Sequence, residues 1–401
     1  MKTKYMKAEY RQLANPKLFD AALDKCGVLA NRAELAEQAD YDWHARKLHF
    51  EQHFRGHILM HMTPYTSTRD HQWAAKHDPM FAACGAEMDI SVSGLAQGNK
   101  NRPLSPAFQL LHQVMDTVAA RPHRKLRDLK KETWEGIVDL LHRVDLFDAT
   151  TLRLPPKLRK WAPGTNEEQA ALKMQLRIDG ERGDCKKVML TPAPGSDSPY
   201  FEELLGDLET QSGQIFVFDG GYWKLETYHA IADSDNDFVT KRGGNIQPQV
   251  VKELPLPEDP LDSGYTVLQD ALVYLGERHD QLYRRLRVRL TTDKEIVLLS
   301  SLVDATADEI CLLYRYRWTI EIVFRWLRQL LELDHLMSED PAGIVRQIAM
   351  ALIVWGLLIL SNQNPDKLQP KHLWRQFQAA LHQILLEIGR QLGAQQAPAP
   401  I

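Results

Sequence analysis

The sequence predicts an α/β protein in which a mixed sheet flanked by helices follows an all-α region and precedes further helices. Three observations predict this arrangement. Apolar residues recur at three- and four-residue spacing through residues 1–143, as in amphipathic helices. Strand-like runs alternate with helical stretches over 144–243, which indicates an α/β sheet with an antiparallel portion. Strand-like runs without helices then fill 244–300.

The composition is that of an ordinary globular protein and excludes several classes. Of 401 residues, 44% are hydrophobic and 25% are charged, and the formal net charge of −4 excludes a uniformly basic nucleic-acid coat. The four cysteines include no CxxC pair, which excludes a disulfide framework and a cysteine zinc site and predicts a reducing cytosol. No apolar stretch follows the charged N-terminus, so no secretory signal is expected.

Each element has a local signal. In the first region, Ser105 and Pro106 mark a helix start, because Ser is a good N-cap and Pro suits the first helical position. The α/β region combines apolar strands with two helices. The strands are 144–152, 170–178, 187–191, 214–218 and 237–240, and the helices are 200–208 and 223–232.

The rest of the chain divides into a proline-punctuated, strand-rich stretch and a set of helices. The predicted strands are 250–251, 266–274, 286–291 and 296–300, and the predicted helices are 304–335, 342–362 and 372–393. The longest apolar run, Ile348–Leu360, is shorter than the roughly 20 residues that cross a bilayer, so we expect a buried core helix and no membrane segment.

These changes of pattern predict the domain boundaries. We expect an all-helical N-terminal domain over 1–143, a sheet domain over 144–243 and 301–340, a β insertion over 244–300, and C-terminal helices over 341–401.

The predicted helix 304–335 is apolar on most sides, which is typical of a buried helix, yet one narrow stripe is polar. At about 100° per residue, the stripe holds Tyr314, Arg317, Glu321, Arg325, Arg328 and Glu332. Two interpretations remain open. The pairs Arg317–Glu321, Glu321–Arg325 and Arg328–Glu332 have the i,i+4 spacing of a structural ion-pair ladder. Arginine forks also match phosphate oxygens.

Two aspartates lie where predicted strands end. Asp148 ends the first strand of the sheet, and Asp219 follows strand 214–218. The carboxyl ends of sheet strands are where α/β proteins bind ligands, although Asp is also a common turn residue. Together with Glu321 they make three acids from three elements, an oxygen cluster suited to Mg²⁺ or Mn²⁺.

Four histidines lie four residues apart: His49, His53, His57 and His61. This spacing aligns them on one helix face, and an i,i+4 pair can bind zinc. No HExxH motif is present, and no carboxylate or cysteine completes a site. A polar helix face is therefore the favoured interpretation, with a metal site as the alternative.

In chain order, these motifs resemble those of DDE transposases from bacterial insertion-sequence family four. Tyr314–Arg328 resembles the family's Tyr-x2-Arg-x3-Glu-x6-Lys motif, with an arginine in place of the final Lys. Asp148–Thr150 resembles the first acidic motif, and Asp219–Tyr222 resembles the second, with a glycine in place of its Arg. Ile90–Arg102 is similar to the family's N-terminal DNA-binding segment.

The resemblance implies a ribonuclease-H-like core in which Asp148, Asp219 and Glu321 are catalytic and hold two Mg²⁺ or Mn²⁺ ions. It also implies DNA contacts from the helix motif and from the N-terminal domain. The implied contacts are Tyr314, Arg317, Trp318, Arg325, Arg328, Asn99, Lys100 and Arg102.

Further nucleic-acid contacts are expected from aromatic and basic residues. In relatives, an aromatic residue of the β insertion stacks on a flipped base, and the candidates here are Tyr265, Tyr274, Tyr283 and, within the helix motif, Trp318. The basic runs Arg121–Lys131 and Arg284–Arg289 would add non-specific phosphate contacts.

The implied function is a DNA transposase that binds terminal inverted repeats, excises an insertion sequence and joins it to target DNA, with a hairpin intermediate. A homodimer is expected because two ends must be held together, with the C-terminal helices in dimerisation or in capping the core. The expected location is the bacterial cytoplasm, at the nucleoid when DNA is bound. The alternatives are a metal-dependent nuclease, an inactive DNA-binding protein and, from the carboxylate pair, a glycosidase.

Overall fold

The structure is a computed structural model of the chain. It describes residues 30–361 apart from 44, 62, 64, 66, 79–80, 83, 122–136, 138–139, 167, 244–245, 258–260, 262 and 330. The predicted helix 372–393 and most of the basic run Arg121–Lys131 lie outside the described residues.

The described residues form two compact units. The first, here called the helical unit, contains the residues up to Ala120, Leu152–Ala171 and the residues from Arg325 onwards. The second, the sheet unit, contains Arg121–Thr151 and Leu172–Phe324. The boundaries of the predicted domains stay a prediction.

Ten α-helices are formed by described residues. They are α1 Arg32–Gln38, α2 Phe50–Met60, α3 Thr68–His77, α4 Val92–Asn101, α5 Ser105–Ala119, α6 Phe201–Leu205, α7 Leu225–Asp233, α8 Ala307–Tyr316, α9 Trp318–Gln329 and α10 Pro341–Ser361. Serine caps start two of them: the hydroxyls of Ser67 and Ser91 accept the N–H groups of Asp70 and Gly94.

Nine strands form one mixed sheet in the order β3-β2-β1-β4-β5-β9-β8-β7-β6. They are β1 Val144–Leu154, β2 Ala170–Asp179, β3 Cys185–Pro192, β4 Ile215–Phe218, β5 Asp237–Lys241, β6 Pro248–Glu253, β7 Thr266–Leu275, β8 Tyr283–Arg289 and β9 Glu295–Ser300. Strands β1, β4 and β5 are parallel, whereas β2 with β3 and the neighbours from β5 to β6 are antiparallel. The predicted mixed α/β sheet is confirmed.

The strands of the predicted β insertion continue this sheet. Strand β9 pairs with β5 through Val239↔Ser300, and β8, β7 and β6 follow in turn. An antiparallel meander needs only tight turns between neighbours, so it can extend an open sheet edge strand by strand.

The centre of the sheet unit is aromatic. All four residues of β4 are buried, as in a strand covered on both faces. The Phe218 ring lies 4.5 Å from Phe201 on α6 and 5.6 Å from Tyr228 on α7, between ring centroids. This packing fixes the carboxyl end of β4, immediately before Asp219.

The predicted helix 304–335 is two helices that meet at Arg317, so the single-helix prediction is wrong here. Helix α8 begins with a capping box between Thr306 and Glu309. At the junction, the Arg317 N–H bonds the Tyr314 carbonyl and the Ile320 N–H bonds the Arg317 carbonyl, at 3.2 and 3.1 Å. This three-residue pattern replaces the i,i+4 bonds of a continuous helix.

Helix α10 is the apolar helix predicted near the C-terminal end. Among described residues, it alone is long and apolar enough to cross a membrane, and 89% of its apolar window is buried inside the protein. Such burial favours the predicted core helix. A Cβ on Gly356 would lie 2.3 Å from Val114 of α5, so the glycine allows close packing of these two helices within the helical unit.

Candidate active site

The two aspartates lie at the same edge of the sheet. Strand β1 pairs with β4 up to Phe147↔Phe218, so Asp148 and Asp219 come next on neighbouring strands. The prediction that Asp148 ends its strand is wrong, since β1 continues to Leu154. What ends at Phe147 is the pairing with β4, so Asp148 and Asp219 each follow the last paired residue of their segment.

Arg317 joins the first acid to the third. Its Nη1 donates to Oδ2 of Asp148 at 2.8 Å, and its Nη2 donates to Oε1 of Glu321 at 2.6 Å. The Arg317 side chain is 10% exposed, against 19% for Asp148 and 32% for Glu321. The predicted i,i+4 pair Arg317–Glu321 is present, and the same guanidinium also connects a strand to helix α9.

Tyr314 connects the second acid to this bridge. Its hydroxyl donates to Oδ1 of Asp219 at 3.1 Å, and the Arg317 guanidinium lies 5.6 Å from the centroid of the Tyr314 ring. Asp148, Asp219 and Glu321, here called the site acids, therefore share one connected set of contacts in the sheet unit.

The charges of the site acids act on one another. The pKa of Asp148 is raised to about 6, mainly by burial and in smaller part by the charges of Glu321 and Asp219, against the lowering effect of Arg317 and the Ala149 N–H. Burial lowers the pKa of Arg317, but Asp148, Tyr314 and Glu321 together hold it above its ordinary value. Arg317 is therefore the permanent positive charge of a site with excess negative charge.

The donor chemistry of the site fits a divalent cation. Three carboxylates are the hard oxygen ligands that Mg²⁺ and Mn²⁺ prefer, and the Arg317 guanidinium between Asp148 and Glu321 marks a position that accepts positive charge. In the part of the chain that the structure describes, no three His, Cys, Asp or Glu residues are grouped closely enough to hold a metal. Asp148 and Glu321 face Arg317 instead.

A polar network next to Asp219 was missed by the sequence analysis. The Tyr222 hydroxyl donates to Gln175, whose amide nitrogen donates to Oδ1 of Asp197 at 2.8 Å; Lys173 donates to the same oxygen at 2.9 Å. Burial raises the pKa of Tyr222, as do the charges of Asp197 and of two site acids. The available signal was the alternation of polar residues along β2, where Lys173 and Gln175 are followed by Arg177 and Asp179.

Close packing of the backbone explains why a glycine follows the second acid. A Cβ on Gly220 would lie 3.0 Å from the Lys241 carbonyl oxygen and 3.2 Å from Cα of Gly243. An arginine at this position, as in the resembled motif, would therefore require the backbone at the end of β5 to shift.

The other residues of the helix motif differ in their surroundings. Trp318 is 53% exposed, and Arg325 is also exposed. Arg328 donates from Nε to Asp334 at 2.7 Å. The predicted pair Arg328–Glu332 is wrong, because α9 ends at Gln329 and Glu332 has a left-handed backbone with φ 58°.

The three N-terminal candidates for DNA contacts differ in burial and in bonding partners within the helical unit. Asn99 is buried, and its Oδ1 bonds His53 and His57 at 2.7 and 2.9 Å. Arg102 donates to the backbone carbonyls of Tyr41, Trp43 and Leu48. Lys100 is exposed, with Nζ 3.6 Å from Asp340. The placements of Asn99 and Arg102 are those of structural residues, and the predicted DNA contacts stay a prediction.

The histidine stripe is not a polar face, so that prediction is wrong. His53, His57 and His61 are buried, and His71 of α3 joins them; these four are here called the histidine cluster. Burial lowers the pKa of His53 to about 3 and of His61 to about 4, which keeps the rings neutral. No metal-holding group is found among these or other described residues.

Burial also affects the predicted base-stacking and phosphate contacts of the β insertion. Tyr283 is fully buried with its hydroxyl 2.6 Å from Nδ1 of His229, so it is not available to stack on a base; Tyr265 and Tyr274 are half-buried. In the run Arg284–Arg289, Arg284 is buried in a bidentate ion pair with Asp270, which removes it from the surface.

The chain is similar in sequence to known proteins. A family profile described as "Transposase DDE domain" matches residues 140–357. The chain is 28% identical to a protein of Sinorhizobium fredii that is named as a transposase, over 66% of this chain and 69% of that one. It is 22% identical to the transposase for insertion sequence element IS231F of Bacillus thuringiensis subsp. israelensis, over 54% of each chain.

Among solved structures, the chain matches the piggyBac transposase synaptic complex with hairpin DNA. The TM-score is 0.46 with 11% identity, covering 97% of this chain and 84% of that chain. The matched segments of the curated relatives span from about half to just over two thirds of their own length.

Proposed function

This chain belongs to the transposase DDE domain family of insertion-sequence transposases, and on that premise we propose that it cleaves and joins DNA strands at its three site acids. The observation that carries the proposal is the connected set of contacts in which Arg317 bridges Asp148 and Glu321 while Tyr314 binds Asp219. Through these two side chains, acids from three separate elements are linked to one another.

The arrangement of the sheet supports a ribonuclease-H-like core. Its first five strands have the order β3-β2-β1-β4-β5, with parallel β1, β4 and β5 beside an antiparallel β2–β3 pair. The site acids come from β1, from the end of β4 and from α9. A cleft at the carboxyl ends of parallel strands is where such sheets bind ligands.

Asp148, Asp219 and Glu321 would hold two Mg²⁺ or Mn²⁺ ions. When bound, such ions supply charge stabilisation and activation of the attacking oxygen in an in-line displacement at phosphorus. The protein's own residues provide orientation: Tyr314 binds one oxygen of the Asp219 carboxylate, and packing of Phe218 fixes the backbone from which Asp219 projects.

DNA would be held by cationic side chains of the helix motif. Arg317 and Arg328 would bind backbone phosphates, with Arg325 and the exposed Trp318 beside them. Hydrolytic nicking and strand transfer are both attacks at phosphorus, so one site would serve both, and positioning supplies most of the catalysis.

The wider activity is cut-and-paste transposition. The chain would bind the terminal inverted repeats of its element through the N-terminal helices, with Lys100 as the exposed contact, and act as a homodimer on two ends. A hairpin intermediate would release the element, and the chain would work in the bacterial cytoplasm at the nucleoid.

A cleavage assay tests this function. Wild-type protein is incubated with DNA carrying the ends of its element and Mn²⁺, and nicked, hairpin and joined products are separated on denaturing gels. Asp219→Asn should bind DNA but lose cleavage, by roughly 10³-fold. Asp293→Asn, in the exposed β8–β9 turn where Asn tolerates φ 60°, removes a remote carboxylate and should cleave normally.

Other outcomes distinguish the alternatives. Cleavage of supercoiled DNA that lacks the ends would indicate a plain nuclease. DNA binding without any metal-dependent cleavage by the wild type would indicate an inactive DNA-binding protein.

A further inference from the structure

We propose that Arg317 is an internal cation that holds Asp148 and Glu321 together in the DNA-free protein and competes with the divalent cation for these two carboxylates. The inference rests on the proposed function, because it concerns how the same site is kept inactive until DNA binds. A phosphate of bound DNA would then replace the carboxylates as the partner of Arg317.

The geometry places one positive charge between two negative ones. The two terminal nitrogens of the guanidinium donate to different acids, one to Asp148 at 2.8 Å and the other to Glu321 at 2.6 Å. Charge-assisted bonds of this kind are about twice as strong as neutral ones. A divalent cation that binds both carboxylates must break both bonds, so part of its binding free energy is lost.

The backbone explains why this arginine reaches both acids. Arg317 lies at the junction of α8 and α9, so its side chain is not restricted to the i,i+4 neighbours of one helix. One nitrogen meets Glu321 one turn along α9, while the other meets Asp148 on β1. Its Nε is buried and has no hydrogen-bond partner in the described part of the chain, so the side chain is held by the two acids.

Phosphate is the ligand that best replaces these carboxylates. The planar guanidinium fork matches phosphate and carboxylate oxygens in the same way. DNA binding therefore offers Arg317 an equivalent partner while freeing the acids for the metal. DNA and the divalent cation would then bind cooperatively, because the binding of either one breaks the bonds between Arg317 and the carboxylates that oppose the other.

Metal affinity of the free, full-length protein tests the inference. Mn²⁺ binding is measured by electron paramagnetic resonance of the unbound ion, without DNA, for wild type and Arg317→Gln. The variant should bind Mn²⁺ about tenfold more tightly, since the competing cation is gone. Arg278→Gln is the matched control, because Arg278 also bridges two aspartates, Asp233 and Asp280, but at the surface. Its Mn²⁺ affinity should equal that of the wild type.

The outcomes separate this inference from the proposed function. Equal or weaker Mn²⁺ binding by Arg317→Gln overturns the inference alone, provided that the wild type binds Mn²⁺. If neither protein binds Mn²⁺, both the inference and the metal-dependent function fail. Should Arg317→Gln not fold, Arg317→Lys decides instead, because lysine offers only a point contact. Tighter Mn²⁺ binding by that variant supports the inference, and equal or weaker binding overturns it.

Discussion

The site acids with Arg317 and the histidine cluster both contain buried polar side chains, yet they are stabilised differently. In the first, a buried guanidinium pairs with two partly exposed carboxylates. In the second, four buried rings stay neutral and form hydrogen bonds: the Tyr41 hydroxyl donates to Nδ1 of His53, and Nε2 of His53 donates to Oδ1 of Asn99. Arg346 and Arg102 lie near this cluster and lower the pKa of His53 further.

The difference teaches which cluster is suited to chemistry. Buried charges are costly unless paired, and the pairing in the sheet unit leaves carboxylate oxygens within reach of solvent. The histidine cluster avoids that cost by giving up charge altogether. Regular i,i+4 spacing occurs in both, so spacing alone does not distinguish a reactive site from a structural one.

The largest expected effect is acid unfolding through the histidine cluster. Folded pKa values of about 3 for His53 and about 4 for His61 and His71 lie below the ordinary value of about 6.5. The folded state therefore resists protonation of these rings. The free energy of unfolding is highest above pH 6.5 and decreases as the pH falls toward 4, because the unfolded state binds protons first. The loss is roughly 1.4 kcal/mol per pH unit for each ring. Urea unfolding at several pH values, followed by fluorescence, measures this slope.

Three variants make the acid experiment more specific. His71→Leu should reduce the slope by one ring's share, whereas exposed His49→Gln should leave it unchanged. Asp148 acts with the opposite sign: its folded pKa of about 6 lies above its ordinary value, so protonation favours the folded state and its penalty disappears as the pH falls. Asp148→Asn should therefore steepen the acid-induced loss. A wild-type stability that does not change with pH would contradict the comparison.

A smaller effect is expected from Tyr314→Phe. Loss of the hydroxyl removes the hydrogen bond that orients Asp219, so strand cleavage should fall about tenfold, as for other residues that position a ligand. The free energy of unfolding should fall by about 1 kcal/mol. Tyr65→Phe is the matched control, because Tyr65 donates to Asp78 at 2.6 Å in the helical unit. It should show a similar loss of stability with normal cleavage; reduced cleavage in both variants would count against positioning by Tyr314.

The smallest effect is expected from Arg328→Gln. The ion pair with Asp334 is partly exposed, so the free energy of unfolding should change by about 0.5 kcal/mol or less. Loss of one phosphate contact should reduce the slope of log K against log salt in DNA titrations by about 0.9. Lys157→Gln removes an exposed, paired charge elsewhere and should leave the slope unchanged. An unaltered slope in Arg328→Gln would remove Arg328 from the DNA contacts.

Much of the sheet was predictable. The central strands were found within about two residues at their ends, because continuous apolar runs such as 215–218 can only be buried. The shared edge of Asp148 and Asp219 followed from parallel pairing. The network of Tyr222, Gln175 and Asp197 was not predicted, because its members come from three segments and each is unremarkable in its own local sequence.

The sequence by itself determined the strands, most helices and the spacing of the acidic motifs, because these depend on apolar periodicity and residue preference over short ranges. Only the tertiary structure decided that the long helix breaks at Arg317, that the histidine stripe turns inward, and that the predicted insertion continues the sheet beyond β5. Each of these depends on which distant groups meet. The cost of burying a charge or an imidazole is offset only by a specific partner, and the identity of that partner is not encoded in the local sequence.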